Sequence, residues 1–148
     1  MIRRIFLLSL CQIALLTVAS DGYAQTGTET TLRLALKGYD PVAYFTVGSP
    51  TPGMPGLETV FDGARYRFAS AENMGKFRAD PDKYMPQFGG VCAFGLSKGV
   101  KLEADPTAWR IIDGKLYVFA AQKVLPEVDA NPKDLVAKAY ANRKALVQ

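Results

Sequence analysis

The chain has 148 residues, 18 Lys plus Arg against 14 Asp plus Glu, a formal charge of +4 and no histidine. The opposite signs are interspersed, which describes a solvated surface and excludes the concentrated basic stripe of a nucleic-acid binder. Without imidazole, the commonest general base and the commonest nitrogen metal ligand are both missing, and the length suits one domain with one sizeable core.

Two arginines, Arg3 and Arg4, precede a mostly apolar run over residues 5–19, and Gly22 and Ala24 supply the small residues a signal peptidase reads. Residues 1–24 are therefore expected to be a signal peptide, and the mature protein is expected to be periplasmic or secreted. The apolar run is short for a membrane span, so no stable span is expected after cleavage. The paired arginines leave a twin-arginine route open beside the preferred general secretory one. Cys11 departs with the signal, leaving Cys92 as the sole cysteine, without an intramolecular disulfide partner.

Residues 25–31 are small and polar and read as a leader, followed by a single domain over 32–148. Apolar residues alternate over 32–36 as in a strand, and Gly38, Asp40 and Pro41 mark a turn. Residues 42–47 suit either a short extended piece or one helical turn, and the proline- and glycine-rich stretch 48–56 suits a surface loop. Residues 57–61 and 65–69 flank Asp62 and Gly63, a pair suited to a hairpin turn. Ser70 is placed to cap a helix with Ala71, Met74 and Phe77 inward, ending near Asp80 and Pro81.

A second hairpin is expected around Asp113 and Gly114, joining 108–112 to 115–119, with Trp109 and Ile111 opposite Leu116 and Val118. Asn131 and Pro132 open a terminal helix whose apolar stripe, Leu135, Val136, Ala139, Tyr140 and Leu146, is expected to pack on the sheet. The fold class is α+β: a small antiparallel sheet with two β-hairpins packed against two principal helices.

Three groups of residues resemble the YHS domain in the form found in small exported bacterial proteins. They are the run from Ala35 through Gly38, Tyr39, Asp40, Pro41 and Tyr44 to Phe45; the run from Phe68 through Pro81 and Tyr84 to Gly89, Gly90 and Cys92; and Asp105, Pro106, Trp109, Asp113 and Tyr117. The resemblance covers most of the mature chain. It implies a binding module without an assigned reaction, and related domains in metal-handling proteins suggest heavy-metal binding. Those zinc-type relatives use several cysteines, so with one cysteine a closed zinc site is not implied.

Cys92 is the first site candidate, because Gly89 and Gly90 permit close backbone approach beside its thiol. Three readings stand together: a small buried hydrophobe, a soft-metal ligand, or a catalytic thiol. Copper(I) accepts thiolate and thioether donors without histidine, which pairs Cys92 with Met85, and less readily with Met74 or Met54. Catalysis would need Lys83, Lys98 or a helix terminus to form the thiolate. Tyr39, Asp40, Tyr44, Tyr84 and Trp109 are candidates to line a small-ligand pocket, and equally to be core aromatics and a turn aspartate. Asp80 and Asp82 flank Pro81 and read as cap and turn residues.

No phosphate-binding loop, dinucleotide fingerprint or Cys-x-x-Cys motif occurs. The expected function is an exported binding module that takes a soft metal such as copper or a small ligand through a single-thiol site, with a thiol enzyme the less favoured class. The alternative is a structural or interaction protein with Cys92 in its core.

Overall fold

The computed structural model describes residues 31–146, so the expected signal peptide and nearly all of the leader lie outside the described residues. The expected strand over 32–36 is cut to two residues, β1 (Arg33–Leu34). Leu36 and Lys37 turn into the left-handed region, at φ 48° and 50°, within the 3-10 segment Ala35–Gly38. A single helical turn, α1 (Ala43–Thr46), follows. That is the helical of the two readings for this stretch.

β2 (Met54–Phe61) and β3 (Ala64–Phe68) form the first hairpin. Asp62 and Gly63 take φ of 46° and 68°, the double left-handed turn that matches strand twist. The loop expected over 48–56 ends early, because β2 begins at Met54. A register shift between Met54 and Glu58 accommodates Pro55 and Gly56, as bulges do. β1 adds to β3 in parallel, giving the order β1-β3-β2. The sheet is thus mixed, a refinement of the antiparallel expectation within the α+β class.

Ser70 caps α2 (Ala71–Ala79), its hydroxyl accepting the Asn73 N–H at 3.1 Å. Phe77 is buried and Met74 packs beside it, but Ala71 is exposed and not inward as expected. Asp80 ends this helix and caps the next, α3 (Pro81–Tyr84), by accepting the Lys83 N–H at 3.2 Å. After a second 3-10 segment, Gln87–Gly90, comes α4 (Ala93–Ser97).

β4 (Asp105–Ile112) and β5 (Lys115–Phe119) form the second hairpin, a separate two-stranded sheet. Trp109 faces Val118 and Ile111 faces Leu116, as the alternation predicts. α5 (Leu125–Ala130) and α6 (Pro132–Leu146) close the fold.

α6 was expected on the sheet, but it packs chiefly on α4. Small residues permit the approach: Ala93 and Ala139 are fully buried, and the Asn142 amide donates to the Leu96 and Ser97 carbonyls at 2.9 and 3.1 Å. Those are end carbonyls that α4 cannot satisfy internally.

The interior has two clusters. One sets Phe77 against Tyr66, Phe68 and Phe61, with centroids 4.7, 5.3 and 5.9 Å apart. The other gathers Cys92, Leu96, Leu116, Val118, Phe119, Leu135 and Ala139. Among the described residues no helix is long and apolar enough to cross a membrane.

Candidate ligand site

Cys92 is the N-cap of α4 and has no exposed surface. Its Sγ accepts the Gly95 N–H at 3.3 Å and the Ala120 N–H at 3.1 Å. The sulfur therefore does the work of a capping hydroxyl in an apolar setting, and ties α4 to the end of β5. Met85 packs in the other cluster, with Tyr84 and Phe77.

The expected copper pair is thus not assembled around an open thiol. Among the described residues no group of three His, Cys, Asp or Glu side chains is placed to hold a metal. Among the described residues Cys92 and Met85 lie in different clusters, an arrangement that does not suit one shared metal ion.

The aromatic candidates are likewise structural in position. Tyr44 is 1% exposed, donates its hydroxyl to the Pro106 carbonyl at 2.9 Å and meets Trp109 edge-on at 5.2 Å. Burial, with Tyr39, Asp105 and Asp40 nearby, pushes its phenol pKa far above the ordinary value. Tyr84 packs edge-on against Phe45 at 5.3 Å, and Tyr39 lies partly buried against the second cluster.

Asp40 is wholly buried. Its Oδ1 accepts the Val42 N–H at 2.8 Å, and its Oδ2 accepts the Ala69 N–H at 2.8 Å and the Asn73 side-chain amide at 2.7 Å. The carboxylate pins the Pro41 turn to the start of α2. With every contact directed into the fold, it faces no ligand space.

Gly89 and Gly90 alone of the expected site residues line a hollow, one of about 500 Å³. Two left-handed turns frame it. Leu36 and Lys37 form one, and Phe88 (φ 57°), Gly89 (φ 63°) and Gly90 (φ 79°) form the other. Three of these residues are not glycine. Each such residue costs on the order of 1 kcal/mol or more, a strain that persists only where the surroundings enforce it and that concentrates at functional sites.

The floor is apolar, from Leu34, Val91, Ala104, Pro106 and Val118, and the rim carries Arg33, Lys37, Lys101 and Glu103. The bridge between Val91 and Glu103, with the Cys92 N–H donating to the Leu102 carbonyl at 3.0 Å, fixes one wall. Tyr44 braces another through Pro106. Glycine-90 neighbours were visible in the sequence, but Leu36 in a left-handed turn was not. Only the alternation of Arg33 and Lys37 with leucines hinted at a basic edge over an apolar base.

Fold and site together define a small α+β domain with a sealed core thiol and a cation-rimmed lateral hollow. A family model described as the YHS domain matches residues 42–88, and that segment is similar to the YHS domain family. The matched segment runs from α1 through α3 into the second left-handed turn, stopping short of Gly89 and Cys92. Comparison with curated proteins and with solved structures gave no significant match.

Proposed function

We propose that the protein is an exported YHS-domain binding module that holds a small organic ligand in the hollow between the two left-handed turns. The observation that carries this reading is the strained Leu36 and Lys37, facing Gly89 and Gly90 of the second left-handed turn, around a space within the roughly 300–1,000 Å³ range of small-molecule sites. Ligand capture is thereby moved from the thiol to the glycine pair beside it. Binding, not catalysis, is the reading favoured, because the chain has no histidine and its one described thiol is buried.

Titration of the mature protein with a library of small organic fragments, followed by backbone amide chemical shifts, tests this. Shifts clustered at Gly89, Gly90, Val91 and Glu103 are expected; fragments that bind only elsewhere, or not at all, would overturn it. Export rests on the charged, apolar and small-residue order of residues 1–24. The mass of the protein recovered from the periplasm or medium should correspond to a chain beginning at Gln25.

A further inference from the structure

Charge around the hollow is one-sided. Glu103 is the only carboxylate in its lining and is bound to Lys37 at 3.0 Å. Among the described residues, Arg33 and Lys101 have no carboxylate in salt-bridge range. The Arg33 guanidinium lies along the glycine pair: a Cβ on Gly89 would sit 3.6 Å from its Nη2, and one on Gly90 3.8 Å from its Nη1. Those are ordinary van der Waals separations, which place the guanidinium beside the glycine pair at the edge of the hollow.

A smaller hollow of about 130 Å³ shares Val91 and Lys101 with the first and adds Phe88, Leu96, Arg143 and Leu146. Arg143 lies over the Phe88 ring at 5.9 Å, and it too has no carboxylate in salt-bridge range among the described residues. The two spaces thus repeat one motif, an apolar base beneath unpaired cations, and Lys101 stands at their junction.

Resting on the binding reading above, we infer that the ligand is an organic anion with an apolar body. Its acidic head lies between Arg33 and Lys101, and its body lies over Leu36, Val91 and Val118. An oxyanion that offers two oxygens, such as a carboxylate or a sulfonate, suits the guanidinium fork, and the apolar floor rewards a hydrocarbon or aromatic body. A neutral ligand forgoes the head contacts, and a cation is repelled by them.

A matched pair of probes separates head from body: anilinonaphthalene sulfonate and phenylnaphthylamine, which share a ring skeleton and differ by the sulfonate. The sulfonate is expected to move the amides of Gly89, Gly90 and Val91 and to bind roughly ten-fold more tightly than the amine. Arg33→Gln and Lys101→Gln, both at exposed positions, should each weaken the sulfonate roughly three- to ten-fold and leave the amine unchanged. Added salt should weaken the sulfonate alone. Equal binding of both probes at these amides, indifferent to the two substitutions, would overturn the anion inference and leave the binding site standing. Failure of both probes to move these amides would remove the inference together with the site.

Discussion

At the scale of single residues, position and polarity part company: the most polar buried side chain is structural. Asp40 accepts three hydrogen bonds without any exposed surface. Truncation would strand the Val42 and Ala69 N–H groups inside the protein, each with a desolvation penalty of about 1–3 kcal/mol. Asp40→Ala is therefore expected to lower stability by about 3 kcal/mol in urea unfolding, with the denaturant slope unchanged. A loss below about 1 kcal/mol would mean that water or neighbouring groups replace the carboxylate.

Cys92 invites the complementary expectation, because its sulfur is buried and already accepts two backbone N–H groups. A thiol reagent should react with the native protein only at the rate of structural opening and promptly after denaturation. Copper(I) titration should not distinguish the native protein from Cys92→Ser. Rapid native labelling, or a copper site lost in the variant, would restore the metal reading.

Elements differ in how openly the sequence announces them, and the reason is range. The Asp62–Gly63 and Asp113–Gly114 turns, the Ser70 cap and the Asp80 and Pro81 helix junction are decided within four residues of chain, so they can be read directly. The parallel addition of β1, the seating of α6 on α4 and the hollow depend on partners dozens of residues apart, which local pattern does not encode. Tyr44 and Cys92 fall between. Both stand beside the hollow as its supports, so motif position located the neighbourhood of the hollow and not its lining.

Glycines make this distinction measurable at the level of elements. Gly75 lies within α2 at an ordinary helical angle, and a Cβ there would meet nothing within 4 Å. Gly75→Ala should stabilise by about 0.5–1 kcal/mol, through helix propensity and a less free unfolded chain. Gly53, just before β2, would place a Cβ 2.6 Å from the Arg67 backbone and holds the Gly38 carbonyl through its N–H at 2.8 Å. Gly53→Ala must push the hairpin off the Gly38 turn, and a loss of about 2 kcal/mol is expected. Melting curves for the two variants should move in opposite directions; a common direction would contradict the close approach at Gly53.

For the whole molecule, the absence of histidine sets the pH response. No side chain of that kind titrates between about pH 5 and 8, so stability should be nearly flat there. On the acid side, Thr107 donates its N–H and hydroxyl to Asp105 and holds that carboxyl below its usual range. Its contribution is present above the unfolded pKa near 4 and is lost as pH falls through the folded value. The alkaline side is governed by Tyr44, Tyr66 and Tyr117, whose phenol pKa values are raised first of all by burial. Below about pH 10, folded and unfolded chains both keep these protons, so the burial has no pH dependence. Above it the unfolded chain releases them more readily than the folded chain, which favours unfolding by up to about 1.4 kcal/mol per pH unit for each tyrosine still protonated in the fold. Urea unfolding followed from pH 6 to 11 should therefore show a plateau and then a fall beginning near pH 10, and ultraviolet titration should find these phenols ionising only as the fold is lost. Reversible ionisation of all the tyrosines near pH 10 in a still-folded protein would contradict the burial of Tyr44 behind the Pro106 wall, and with it the bracing of the hollow.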